Sequence, residues 1–526
     1  MRPLPVHVRT PDRYVDWGLQ GRQDAGIDAL LGLAQRTTLS NRADQPGYSR
    51  HNRHRKRAGS GRGWRGPLLA VILLAGLGVA WCQFRSGVLL SFMLGAAAFN
   101  MTVATLEVRW RLYAWRTPDA ARQLAWPQPV EPTATCMSFS LIVPVRDEAA
   151  VISDTLLGLV QQDHPQLQVI VSLCDDDDAT IAAASRVARN HSDRIRLVIG
   201  HYESSSKALQ LNAALPFCTG DVVGVIDAED DVATTLLRHV EALFLTSGSD
   251  VVQGGVQLMN LGDRLQKWFQ VHNILEYFYW FTSRMAYQVD AGFVPLGGNT
   301  VFVYRKLLEE AGGWPVTLTE DCALGVVLAT EFGATVSAAY SARLSTREES
   351  PPTIFNKKLG ALFWQRDRWV RGFVSELVDC RWLKMPTLRG RILAGYILAT
   401  PLLQAISGIL LPFAIVTALL VKAPIGLTLL MFVPLIPLGV TVITQLIGLR
   451  EFARTYQQHA SVWHYASVLF LAPLYQIILM AAAAVAVYKH AKGDTTWYKT
   501  GRAAEHREPV AACPVKEGVP ALQPSI

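Results

Sequence analysis

The chain has 526 residues, a formal net charge of +7 and a 50% hydrophobic content, and its mean hydropathy of +0.20 is high for a wholly soluble protein. The length allows two to three domains, and the basic excess reads first as flanks facing anionic lipid rather than nucleic acid. The seven cysteines (Cys82, Cys136, Cys174, Cys218, Cys322, Cys380 and Cys513) are scattered, odd in number and form no C-x-x-C pair, which argues against a disulfide framework and a structural zinc site.

Residues 1–65 are polar and Arg-rich, end in the basic run 51–57, and read as a disordered tail. The basic run has two readings, a nucleic-acid patch and a juxtamembrane anchor. The apolar stretch that follows at once favours the anchor. That stretch begins near Pro67, too late for a cleavable signal peptide. Residues 66–107 predict a tight transmembrane hairpin, charge-free from Pro67 to Phe84 and from Ser86 to Leu106 with only Arg85 between.

Residues 137–345 alternate short apolar runs with helical patterns. Strands are expected at Ser138–Val145, Gln168–Cys174, Arg194–Ile199, Asp221–Ile226, Val251–Val256, Val301–Tyr304 and Ala334–Ala339, with helices such as Ala149–Val160 and Ala179–Ala188 between them. This alternation implies a largely parallel α/β sheet. Residues 346–390 hold an amphipathic stretch, Thr353–Leu377, suited to a membrane interface, with Lys357, Lys358, Arg366 and Arg371 along it. Residues 391–489 predict a C-terminal membrane region, with charge-free runs at Ile392–Val421 and Ala423–Leu449, then Ser461–Tyr488 interrupted by Pro473. Basic residues on both sides of the last run favour a re-entrant segment or a hairpin broken at Pro473, which keeps the 490–526 tail on the cytoplasmic side.

Several short motifs carry chemistry. Asp227 and Glu229 end a strand, and residues i and i+2 share a face, so two carboxylates converge where α/β sheets bind ligands. Oxygen-only ligands suit Mg2+ or Mn2+, although an isolated D-x-E also reads as a solvated acidic turn. Asp230 reads as a ligand or a helix cap. Thr319-Glu320-Asp321 opens a helix that Thr319 can cap, and its two acids alone would only offset the helix dipole. Gln365, Arg368 and Trp369 lie at i, i+3 and i+4 and share a helix face. There Arg can fork onto a phosphate and Trp offers a flat surface to a sugar ring, but an interface helix with an anchoring Trp explains them too.

In order and spacing these three motifs resemble the D-x-D, T-E-D and Q-x-x-R-W set of membrane-embedded family 2 glycosyltransferases, the group that includes cellulose, chitin and hyaluronan synthases. Glu229 departs from the second Asp of that set, and Asp147 stands where the opening P-x-x-N-E pattern has Asn. The resemblance implies a GT-A-like, Rossmann-like mixed sheet in a cytosolic domain, joined to α-helical transmembrane segments. It implies Asp321 as catalytic base with Glu320 in support, and Asp227 and Glu229 holding Mg2+ or Mn2+. Pro144, Glu148, Lys207 and either Asp175 or Asp176 would meet the nucleotide-sugar. Gly298, Asn299, Gln365, Arg368 and Trp369 would face the acceptor and diphosphate. Trp497-Tyr-Lys-Thr-Gly-Arg502 is similar to a tail motif of related bacterial enzymes and makes Thr500 and Arg502 candidate gating residues.

The implied reaction is inverting transfer from a nucleotide-sugar, UDP-linked, to a growing polysaccharide that a processive enzyme would also export. The alternative is a non-processive enzyme acting on a lipid acceptor. Expected partners are the donor, a carbohydrate or lipid acceptor and membrane lipids, with accessory subunits unspecified and no nucleic acid. The expected place is the plasma membrane, crossed several times, with the catalytic domain cytoplasmic. Outside this resemblance stand a transporter or scaffold with a mere binding domain, and a nucleic-acid binder using residues 50–57.

Overall fold

The computed structural model describes residues 9–10, 13–14, 87–113, 124–202, 206–262, 265–357, 361–420, 425–494, 496 and 506–507. The first arm of the expected hairpin, most of the 1–65 tail, and Thr500 and Arg502 lie outside the described residues.

A seven-stranded sheet forms the centre. Its strands are β1 (Phe139–Val145), β2 (Leu167–Cys174), β3 (Ile195–Gly200), β4 (Val222–Val225), β5 (Val251–Gly254), β7 (Val301–Tyr304) and β8 (Val336–Ala339). The spatial order is β8-β5-β7-β4-β1-β2-β3. All neighbours are parallel except β7, which runs antiparallel to both β4 and β5. The strands are apolar on both faces because helices cover both. Leu141, Val143 and Val145 belong to one core layer, shared with the helices Ile152–Val160 and Leu236–Ser247, while Ile142 between them enters the opposite layer with Leu211 and Leu324. That alternation is the period-2 geometry of a strand.

The expected strand Val251–Val256 splits. After β5 the chain leaves the central sheet, and β6 (Val256–Leu258) pairs in parallel with β9 (Thr346–Glu348), a strand not anticipated from the sequence. Tyr340 and Ser345 crowd the turn at Gly255, so the run cannot continue straight. The detour brings Glu348 to the acidic end of β4.

The amphipathic segment also differs from expectation. The helix begins at Leu362, not Thr353, and runs to Asp379. Thr353 pairs with Ala361 as an isolated bridge, and the carbonyls of Thr353 and Ile354 accept the N–H groups of Leu362 and Phe363 at 2.9 and 3.0 Å. The preceding loop thus satisfies donors that a helix start leaves open. Arg371 is not an interface residue: it is buried, pairs with Asp367 at 3.0 Å, and donates to the carbonyls of Asp494 and Thr496.

Among the described residues, four helices are long and apolar enough to cross a membrane: Ser91–Arg111, Leu388–Thr417, Leu435–Thr455 and Ala472–Ala491. The expected single run Ala423–Leu449 breaks into Ile425–Phe432 and Leu435–Thr455 around Pro434. The run Ser461–Tyr488 breaks at Leu471, with Pro473 in the first turn of the second piece, where a missing N–H is harmless. Ala472–Ala491 lies along Leu362–Asp379. Tyr475 and Leu479 pack with Leu362, Ala483 and Ala486 with Val370 and Val374, and Lys489 reaches Asp367 at 3.0 Å. Its far end therefore returns to the side carrying the α/β domain.

Gly372 sets how closely this interface helix approaches Thr319. A Cβ there would sit 2.1 Å from the Thr319 hydroxyl oxygen and 2.5 Å from its methyl carbon. Gly372→Ala is expected to destabilise the fold by about 1–3 kcal/mol through overpacking. A wild-type unfolding midpoint in that variant would show that the two elements can separate freely.

Candidate active site

The Asp227 turn follows β4 at the carboxyl end of the sheet. Ile226 N–H still donates to Ile142 O at 3.1 Å, and the ladder then stops. Asp230 closes the turn. Its Oδ2 accepts from Asp227 N–H at 2.8 Å, and both its oxygens accept from Asn299 Nδ2 at 3.0 Å. Asp230 is thus a buried structural clamp. Burial, then the charges of Asp227, Glu229 and Glu348, hold its carboxyl well above the ordinary range.

Lys207 begins the helix Lys207–Ala214 and points at the same turn. Its Nζ donates to Asp227 Oδ1 and, at 2.7 Å, to Gly298 O. Burial alone would lower its proton affinity, but Asp227, Glu320 and Asp321 outweigh that and the net shift is upward. Gly298 must be small here, since a Cβ would approach Asp321 Oδ2 at 3.2 Å and Lys207 Nζ at 3.5 Å.

Glu320 and Asp321 open the helix Glu320–Glu331. Thr319 occupies the cap position but its hydroxyl bonds nothing, contrary to expectation. Gly372 presses on that side chain from the interface helix, which explains why it does not turn to cap. Instead Asp321 Oδ1 accepts from Cys322 N–H at 2.7 Å. Glu320 is pushed up to about 7 by burial and by Asp321, against the pull of Lys207 and Arg368. Asp321 is also raised, by burial, with the Cys322 N–H, Lys207 and Arg368 opposing. The two acids share one environment in which a second negative charge is costly.

The interface helix supplies Gln365, Arg368 and Trp369 to the same space. Neighbours on its other faces hold it in place. Arg366 pairs with Glu276 at 2.5 Å, donates to Asn273 at 2.6 Å and stacks over Trp369 with 4.6 Å to the ring centre. Buried Asp367 sits between Lys489 and Arg371.

One cavity of about 890 Å3 joins these groups. Pro144, Glu148, Lys207, Asp227, Glu229, Gly298, Asn299, Glu320, Asp321, Gln365, Arg368 and Trp369 all line it. Asp175 and Asp176 do not: Asp175 pairs with His201 at 3.1 Å and Asp176 with Arg146 at 2.7 Å. Asp177 caps the following helix by accepting from Thr180 N–H, and Asp178 stands in its first turn.

The sequence reading missed Arg146, Tyr202, Gln210 and Glu348, which also line the cavity. Only their places just after β1, after β3 and on the Lys207 helix could have marked the first three, and Glu348 left no signal. The cavity continues between the apolar helices, past Thr400, Gln404, Leu411, Leu438, Val442 and Met480. Its aromatic lining includes Trp110, Tyr277, Tyr279, Trp280, Trp369 and Tyr396. Among the described lining residues from Ile397 onward there is no aromatic side chain.

Comparisons agree with this architecture. Residues 137–372 match the model of a family described as glycosyltransferase like family 2. The beta-monoglucosyldiacylglycerol synthase of Trichormus variabilis is 28% identical over 244 residues, 46% of this chain and 50% of that protein. The UDP-forming cellulose synthase catalytic subunit of Xanthomonas axonopodis pv. citri is 26% identical over 297 residues, 54% of this chain and 37% of that protein. The chain thus spans half or less of the length of these two curated relatives. A mannosyltransferase from Pyrobaculum calidifontis, in complex with GDP-Man and Mn2+, superposes with a TM-score of 0.51 at 20% identity, covering 77% of this chain and 99% of that one. That likeness bears on the fold, which is the expected GT-A-like mixed sheet with membrane-type helices. The match to the glycosyltransferase like family 2 model thus takes in the central sheet and most of the interface helix, less than half of the chain.

Proposed function

We propose that this chain is an inverting membrane glycosyltransferase that moves a sugar from a nucleoside-diphosphate sugar, UDP-linked, to a lipid acceptor. The observation that carries this reading is the single cavity running from Asp321 and Trp369 into an aliphatic space between the long apolar helices. Acyl chains suit the Leu, Val and Met side chains that share this lining with Thr400, Gln404, Ser407, Thr441, Gln445 and Gln476, whereas a sugar chain would favour aromatic platforms, and none of the described lining residues from Ile397 onward is aromatic. A growing polysaccharide is the second reading, favoured by the aromatic part of the lining, by the interface Trp369 and by the likeness to a cellulose synthase subunit.

In the proposed mechanism Asp321 accepts the proton of the acceptor hydroxyl as its oxygen attacks the anomeric carbon. Direct attack by one acceptor inverts the centre and needs one base, unlike the paired carboxyl groups of a retaining glycosidase. Glu320, itself pushed up to about 7, shares the buried environment in which Asp321 is also raised. Lys207 and Arg368 bring positive charge to the side where diphosphate departs. Glu148 and Pro144 border the nucleotide end, and Asn299 steadies the Asp227 turn through Asp230.

The carboxylates Asp227 and Glu229 fit a divalent cation. Their oxygen-only donor set suits Mg2+ or Mn2+. Among the described residues no group of three or more acidic, His or Cys side chains could hold an ion alone, as expected where substrate phosphates complete the shell. Bound there, the ion would neutralise the diphosphate.

The test is nucleoside-diphosphate release by the full chain in nanodiscs, with a panel of UDP- and GDP-sugars, Mn2+ or Mg2+, and diacylglycerol lipids. A discrete glycolipid product supports the lipid reading. A polymer would transfer the conclusion to polysaccharide synthesis, and no release with any donor or lipid would sink both.

A pH prediction follows from the raised acids. A base must be unprotonated to work, and burial raises the Asp321 carboxyl, so kcat/KM should fall with dropping pH already above the ordinary carboxylate range. An unperturbed carboxylate would place that limb near 4. In Glu320→Gln the neighbouring negative charge is gone, so the limb should move to lower pH. A profile that is unchanged in Glu320→Gln would exclude the pair as the titrating unit.

A further inference from the structure

The Asp227 turn is held from within by the Asp230 carboxylate, and a second grip comes from far outside the matched domain. Arg507 lies beyond the last apolar helix, yet its guanidinium reaches under the turn. It donates to Glu229 O at 3.1 Å, to Asp230 O at 3.2 Å, to Val151 O at 3.0 Å and to Thr155 Oγ1 at 2.5 Å. Asp154 adds a charge contact at 3.6 Å. Thr155 passes the grip on, because its hydroxyl donates to Ala228 O. Three successive carbonyls, Ala228, Glu229 and Asp230, are therefore fixed directly or through one hydroxyl by a single side chain. The preceding His506 is buried 3.9 Å from Glu349, itself 1% exposed.

We propose that Arg507 is a positioning residue for the carboxylates of Asp227 and Glu229. The inference rests on the proposed function for what those carboxylates hold. The physical argument is local. Each peptide plane of the turn sets the direction of the side chain beside it; rotating the Glu229 or Asp230 plane would break a bond to the charged guanidinium, and rotating the Ala228 plane would break the bond from the Thr155 hydroxyl that Arg507 holds. The guanidinium fork suits this because several N–H groups diverge from one rigid plane. Its charge is also met by Asp154 at 3.6 Å, which helps hold the guanidinium in place. A C-terminal segment thereby completes the acidic end of β4 without touching the cavity, whose described lining does not include Arg507.

The test compares the full-length wild type with R507A and R507K in two readouts besides turnover. The first is hydrogen exchange of the amides of residues 227–231. The second is Mn2+ binding by electron paramagnetic resonance in the presence of UDP. In R507A the turn amides should exchange faster, and Mn2+ affinity should fall roughly ten- to hundred-fold, as when a residue orienting a ligand is lost. Turnover at saturating Mn2+ should change much less. R507K keeps the charge but not the fork and should lie between the two, so it carries the test alone where R507A does not fold.

Wild-type Mn2+ affinity in either variant would overturn the proposal, even if exchange were faster, because the grip would then be only structural. A wild-type chain that binds Mn2+ and UDP but transfers no sugar would instead overturn the proposed function and leave the positioning result standing. A wild-type chain that binds no Mn2+ with UDP would overturn both.

Discussion

Asp321→Asn is expected to lower sugar transfer by about a hundred- to ten-thousand-fold, the usual contribution of a positioned base, while leaving donor binding nearly intact. The substitution is close to isosteric, and an amide oxygen can still accept from Cys322 N–H as Asp321 Oδ1 does. Lys207 and Arg368 keep their places, so the positive side of the cavity survives. What disappears is the group able to take the acceptor proton. Steady-state release of nucleoside diphosphate, beside UDP affinity measured by calorimetry, separates these effects. A variant that retains a tenth or more of wild-type transfer would assign the base to another residue, Glu320 first.

Lys207→Met is expected to damage both stability and activity. The ammonium group bonds Asp227 and Gly298 O and faces Glu320 and Asp321. Methionine nearly preserves the volume, so the loss is electrostatic: three carboxylates would share a poorly solvated space without their common cation. Breaking a fully buried pair costs about 3–5 kcal/mol. Side-chain exposures of 18% for Lys207 and 26% for Asp227 reduce this to about 2–3 kcal/mol, because water can enter. Adding Asp227→Asn to Lys207→Met should recover much of the stability but none of the activity, since Asp227 is itself assigned to the donor. Thermal unfolding in detergent reads the first effect, and an unfolding midpoint equal to wild type in Lys207→Met would refute the charge argument.

How much of the site was legible follows from where each residue sits along the chain. Asp227, Glu229, Glu320, Asp321, Gln365, Arg368 and Trp369 are carried by contiguous motifs whose periodicity already placed them on a strand end, a helix start and one helix face. The structure brings all seven to one cavity. Glu348 and Arg507 had no such signal. Glu348 arrives through the short parallel pairing of β6 with β9, and Arg507 through a single side chain laid against backbone carbonyls. Neither pairing leaves a period or a spacing to read.

The same division holds for the fold. By itself the sequence determined the strand–helix alternation, the buried character of β1 to β4, the long apolar helices and the identity of the chemical groups, because each depends on hydrophobic period and local propensity over a few consecutive residues. Tertiary structure alone decided that β7 runs antiparallel in an otherwise parallel sheet. It also decided that Thr319 does not cap its helix, that Arg371 is buried, and that Ala472–Ala491 runs beside the interface helix with its far end back at the α/β domain. These outcomes depend on contacts between residues far apart in the chain, where packing and the pairing of buried charges override what any local window of sequence prefers.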